Sequence, residues 1–215
     1  MNRRGALTVL AFLVAGGAIG SFVAAWLHNS PTPITAVASG EQGAGGGPVV
    51  DIKVSTVAAV MQGDHPNWVG YLPTTFFKVP PNATVRMTID QQDTPTGLRN
   101  EYLGLVRGTI GNSMTVYTSD PSAGGVTGKT MQAIDPTLAA HTFSVPGLGV
   151  SVPLPGVDAS NPKNTDNFVQ FSFKVPASGI YHWQCFVPCG AGTLYGLGGP
   201  MQTLGYMDGQ IEVGP

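Results

Sequence analysis

Residues 168–175 read FVQFSFKV, and this octapeptide decides what kind of chain this is. Fully extended, it sends Val169, Phe171, Phe173 and Val175 to one face and Phe168, Gln170, Ser172 and Lys174 to the other. Period two in aromatic and β-branched residues marks a strand with one face in a core. Working outward, short runs of the same kind, bounded by Gly, Pro, Asn and Asp, recur at 49–54, 75–79, 84–90, 114–118, 141–145, 179–185 and 210–213. Beyond residue 48 no segment keeps an apolar 3.6-residue period for three turns. The 30 glycines and 18 prolines supply the turns that many short strands need and argue against a helical bundle. The fold class expected is all-β, a β-sandwich.

At 215 residues the exported part is expected to be a single domain. A formal net charge of −2 removes nucleic acid from the partners, because neutralising phosphates needs a basic surface. The stretch 94–140 interrupts the strand series; it is expected to form an added hairpin or loop over one end of the sandwich, with no chemistry assigned to it. There is no P-loop, no Gly-x-Ser-x-Gly elbow, no His-Glu-x-x-His and no dinucleotide fingerprint. Asp90, Asp93 and Asp135 lie in turn-like contexts where capping or solvation is the ordinary role.

Residues 5–27 read GALTVLAFLVAGGAIGSFVAAWL, without an ionisable side chain. At about 1.5 Å of rise per residue a helix of that length spans a hydrocarbon core of roughly 30 Å. Arg3 and Arg4 place the N-terminus in the cytoplasm and Trp26 suits the far interface. The expectation is a single-pass anchor in the cell membrane (1–28), a flexible linker (29–48) and an extracytoplasmic domain (49–215). The alternative is a cleaved signal peptide ending at Ala36-Val37-Ala38, which also exports the domain.

Both cysteines fall in YHWQCFVPCGAG, residues 181–192. Taken alone, Cys185 and Cys189 are open to three readings: a small-loop disulfide, buried thiols, or a soft metal site. Strand alternation turns His182 away from the face shared by Tyr181, Trp183 and Cys185, so it is expected at the surface rather than as a ligand, with Trp183 in the core. His65, in GDHPNW, is expected to be solvated in a turn, and His28 to lie at the headgroups.

Taken in order, HTFSVPGLGVSVPLPG from His141, FSFKVPASGIYHWQC, Cys189-Gly190 and GYMDGQIEV resemble the cupredoxin family, and within it the copper A domain of cytochrome c oxidase subunit II. FFKVPPNATVRMTIDQQD (76–93) is similar to the family's early strand pair, and the resemblance covers about 70–94 and 140–215. It implies a cupredoxin-like Greek-key β-sandwich preceded by one N-terminal transmembrane helix. It also implies a copper cofactor and respiratory electron transfer, as a carrier or an oxidase subunit II-like component, with a cytochrome or oxidase core subunit as redox partner. The implied metal ligands are His141, Cys185, Cys189 and Met207, with Met201 and the Val187 carbonyl as possible additions. No catalytic residue is implied, since any reaction belongs to the oxidase core.

The chain departs from subunit II where that family carries His and Met after the second cysteine; Thr193 and Gly196 stand there instead. Three outcomes stay open: a mononuclear or altered copper site, a binuclear site completed by an unusual ligand, and a scaffold without metal. The alternatives in function are a metal-free structural or docking subunit of a membrane complex, and a copper-delivery protein using Met201, Met207 and the thiols.

Overall fold

A computed structural model describes residues 12, 14–21, 33–36, 38–43, 46–61, 63–161, 165–190 and 198–214. Residues 12 and 14–21 are helical, and among the described residues no helix is long and apolar enough to cross a membrane. Most of the apolar stretch 5–27, with Arg3, Arg4, Trp26 and His28, lies outside the described residues.

From Pro33 onward the chain forms one compact unit. Its strands are β1 Ile34–Thr35, β2 Ala38–Gln42, β3 Pro48–Val57, β4 Gly70–Leu72, β5 Phe76–Val79, β6 Thr84–Gln91, β7 Met114–Tyr117, β8 Lys129–Met131, β9 Ala139–Val145, β10 Val150–Pro155, β11 Asn167–Lys174, β12 Gly179–Gln184 and β13 Asp208–Val213. One sheet runs β1-β5-β13-β12-β9-β10; the other runs β2-β3-β6-β11-β7-β8, with β4 on β3. The two sheets form a mostly β, cupredoxin-like sandwich. Pairing is antiparallel except for the parallel pairs β1–β5, β13–β5 and β3–β6.

The core follows from alternation. In β11, Val169, Phe171 and Phe173 are buried, as is Val175 just beyond it, while Gln170 and Ser172 are half-buried and Lys174 is exposed. From the other sheet, β9 and β12 supply Phe143 and Trp183. The Trp183 ring lies 5.0 Å from Phe143 and 4.7 Å, edge-on, from Tyr71 of β4. Each such side chain contributes roughly 1.5–3 kcal/mol by leaving water. Trp183 also satisfies its one polar atom, donating from Nε1 to the Thr75 carbonyl at 2.9 Å.

One expectation is corrected. Within 29–48, expected as a flexible linker, β1 pairs with β5, and β2 returns to β3 through a turn closed by Gly43 N–H to the Gly47 carbonyl at 2.8 Å. The glycines here are demanded by close approach. A Cβ on Gly47 would stand 1.9 Å from the Asn82 carbonyl oxygen, and one on Gly43 would stand 2.3 Å from Thr84 Oγ1.

The insertion at 94–140 contains the expected hairpin and also a segment that reaches the Phe186 loop. Its β7–β8 hairpin extends the second sheet beyond β11, because Val116 and its neighbours register with Val169. Its 101–107 segment lies along β10, the edge of the first sheet, where Arg107 and Ser151 exchange backbone hydrogen bonds of 2.8 and 3.0 Å. That cover is why the edge strand VSVPLP is buried for five of its six residues.

Gly209 pairs with Trp183 across β12 and β13, and a Cβ there would meet Thr75 O at 2.0 Å and Trp183 Nε1 at 2.6 Å. Gly209→Ala is expected to displace the indole and cost about 2 kcal/mol, read from urea unfolding. Lys174→Ala, on an exposed position of β11, should shift stability by no more than about 0.5 kcal/mol.

Candidate metal centre

Three buried donors converge at one end of the sandwich. Strand β9 turns His141, Phe143 and Val145 to the interior, and β12 leads directly into Cys185. The chain then turns back at Val187 and Pro188, so that Cys189 faces Cys185. His141 Nδ1 lies 3.2 Å from Cys189 Sγ and 3.9 Å from Cys185 Sγ, and the sulfurs are 3.4 Å apart. One ligand atom from each of the three residues fits within a 4.8 Å group. Neither cysteine is in a disulfide, and the S–S separation is far from the ~2.05 Å of that bond.

Backbone groups complete the setting. The Val187 carbonyl oxygen is 3.4 Å from Cys185 Sγ and 3.2 Å from Cys189 Sγ. Thr142 N–H approaches Cys185 Sγ at 3.4 Å, and Thr142 Oγ1 accepts the Phe186 N–H at 2.8 Å. Ser144 and Ser151 continue these buried hydroxyls at 3.1 and 3.0 Å, tying the metal loop to β9 and β10.

Asp93, assigned from sequence only to a turn, is the site residue that reasoning missed. Its Oδ2 lies 3.2 Å from His141 Nε2, the nitrogen facing away from the sulfurs. Asp93 is itself held: Thr94 N–H donates to its Oδ1 at 2.7 Å, and its carbonyl accepts from Gln91 Nε2 and Val157 N–H, each at 2.9 Å. Gln91 in turn accepts from Thr56. A carboxylate on Nε2 fixes the ring and leaves Nδ1 to the thiols. No local signal could have shown it, because Asp93 and His141 lie on separate elements, 48 positions apart.

These contacts shift the titration of the groups at the site. Burial pushes the Cys185 thiol up, but hydrogen bonds from Cys189 and His141, with the imidazolium charge, hold it well below the usual thiol range. The hydrogen bond to Cys185, together with burial, pushes Cys189 the other way. Burial alone would lower His141, yet Asp93 and Cys185 raise it to about 9. The His141 hydrogen bond, against burial, lowers Asp93. The two thiols are thus pushed in opposite directions beside a ring whose charged form is favoured.

The other sequence-expected residues fall as follows. Met207 is fully buried; its carbonyl accepts the Cys185 N–H at 2.9 Å, which places its backbone beside the site. Met201 is half-buried, and its carbonyl accepts from Gln184 Nε2. Thr193 and Gly196 lie outside the described residues. His182 is exposed on the opposite face and pairs with Asp208 at 2.6 Å, while Trp183 is fully buried. His65 is exposed but stacks on Trp68 at 3.8 Å, and its N–H donates to Tyr206 Oη at 3.0 Å.

The donor set can hold a soft ion. Two sulfurs and an imidazole suit copper or zinc, and a backbone carbonyl adds a weak oxygen donor without depending on its side chain.

No protein-family model matches the chain, and no curated protein does. Among solved structures it is similar to a chain of a heme-copper terminal oxidase dimer, at 17% identity over 98% of this chain and 97% of that one, TM-score 0.32. It is also similar to reduced rusticyanin, at 18% identity over 77% and 79% of the two chains, TM-score 0.30. A third likeness is to dithionite-reduced auracyanin from the photosynthetic bacterium Roseiflexus castenholzii, at 13% identity over 77% and 97%, TM-score 0.30.

With both thiols at 5% exposure or less, the metal-free, reduced chain is expected to react with Ellman's reagent only on unfolding, then to release two equivalents per chain. A chain that releases none in denaturant without reductant has its sulfurs bonded, contrary to this geometry.

Proposed function

We propose that this protein binds copper through His141, Cys185 and Cys189, with the Val187 carbonyl and Met207 completing the shell, and passes single electrons. The observation that carries the reading is the convergence of Nδ1 and both sulfurs within 4.8 Å, with a carboxylate on the opposite nitrogen. Copper held there would supply a one-electron couple.

The chain's own residues suit that task. The sandwich holds His141 on β9 and Cys185 directly after β12, which pairs with β9 through Gln184 and Ser144, so little has to move when charge changes. The site is closed to water, with His141 at 3% exposure and Cys185 at 0%. Thr142 N–H directs a dipole at Cys185 Sγ, and hydrogen bonding at a thiolate sulfur is one of the levers on potential. Asp93 keeps the ring aligned. Delivery of copper by ligand exchange needs accessible donors, and this burial favours a carrier over a delivery protein.

The fuller reading is a single-pass membrane protein whose N-terminus is cytoplasmic. Its exported cupredoxin domain works in respiratory electron transfer with a cytochrome or an oxidase core subunit as partner. The apolar run 5–27 and the flanking Arg3 and Arg4 support the anchor and its orientation.

Copper titration of the full-length protein tests the centre. An intense thiolate-to-copper absorption is expected, lost in Cys185→Ser and unchanged in His182→Ala, whose ring stands on the outer face. Asp93→Ala should weaken copper affinity by about 10–100-fold and leave the absorption in place. Absence of copper uptake by the reduced protein would end the carrier reading, and so would an absorption that survives Cys185→Ser.

A further inference from the structure

A cut after Ala38, the alternative route by which the domain would be exported, falls inside the sandwich. Strand β1 lies parallel to β5, with Ile34 opposite Phe77 and Thr35 opposite Lys78, and so borders the first sheet. Strand β2 lies antiparallel to β3 and borders the second. The chain therefore passes from one sheet to the other between Thr35 and Ala38, beside the bond that processing would break.

The described residues on either side of this crossing are held. Ala36 is 7% exposed, belongs to the hydrophobic core, and donates its N–H to the Lys78 carbonyl at 2.8 Å. Ile34 packs against the same core. Beyond the crossing, Ser39 Oγ donates to the Val49 carbonyl at 3.1 Å. Glu41 meets Arg86 at 3.1 Å, and Arg86 also grips Asp51 of β3 at 2.5 and 2.9 Å.

The small residues of an Ala-x-Ala cut would be Ala36 and Ala38. Ala36 is the one that the core takes. Cleavage would strip β1 from the first sheet, leave β5 as a bare edge and take from Phe77, 1% exposed, its neighbour Ile34. A leader that is to be discarded contributes nothing to the mature core; this segment does.

We propose that residues 33–42 are a strap belonging to the mature protein, that the chain is not processed after Ala38, and that the apolar run 5–27 stays covalently joined to the sandwich. This deepens the anchor reading above and rests on it. Electron exchange is then confined to partners that reach the bilayer surface, and a released, freely diffusing carrier is excluded.

Two experiments on the full-length protein test it. In the first, the chain is exported in a bacterium with an active signal peptidase, and the product is identified by intact mass. It should begin at Met1 or Asn2 and stay with the membranes through a carbonate wash. Ala38→Asp, which spoils a cut after that exposed residue, should change neither the N-terminus nor the fraction. A product beginning at Ser39 overturns the proposal. One beginning between residues 28 and 33 defeats the anchor reading, and the strap is then judged by the second experiment alone.

The second measures what the strap contributes to the fold. Ala36→Asp sets a carboxylate against the core and should lower the urea midpoint by about 1 M, whereas Ala38→Asp should move it by less than about 0.3 M. If Ala36→Asp does not fold, hydrogen exchange of the unaltered chain decides. The Ala36 amide should exchange at least about 100-fold more slowly than in an unstructured chain. Exchange at the unstructured rate, or an unchanged midpoint in Ala36→Asp, overturns the strap.

Discussion

Everything at the metal end of this sandwich depends on the line from Asp93 through His141 to the two sulfurs. A buried imidazole placed only against thiols could turn, and it would lose solvation without fixed compensation. The carboxylate at Nε2 removes both difficulties: it accepts the distal hydrogen and commits Nδ1 to the sulfurs. Asp93 can do this because Gln91, Thr94 and Val157 hold it in turn. A chain of hydrogen bonds beginning on β3 and β6 therefore ends by orienting His141 on β9.

The opposite side of β9 is polar for a related reason. Thr142 and Ser144 are buried, and their hydroxyls satisfy each other, Ser151 and the Phe186 N–H. Without that ladder the metal loop would leave an amide unpaired under the insertion. The aromatic core serves the same end from below. Trp183 lies two residues before Cys185 and Phe143 two residues after His141, so packing one against the other sets the spacing of the ligands above them.

Legibility in the sequence followed periodicity. The alternation of 168–175, and the short runs at 49–54 and 84–90, placed β11, β3 and β6 to within a few residues. Strand β10 escaped because Pro153 and Pro155 read as breakers, yet an edge strand tolerates proline where no ladder hydrogen bond is needed. At three residues, β4 and β8 are too short to show a period. The glycines of 43–47 read as flexibility, whereas two of them are steric necessities against Asn82 and Thr84. At the site, His141, Cys185 and Cys189 could be named from ordered motifs, but Asp93 and Thr142 act through contacts that no local spacing encodes.

The strip of chain that lies along β10 has an implication for how small this domain can become. Stripped of 101–107, the border VSVPLP would present apolar side chains and unpaired backbone groups together, the combination that invites a second molecule to add its own strand. Any shortened version must therefore bring new cover for that flank, or it will associate with itself.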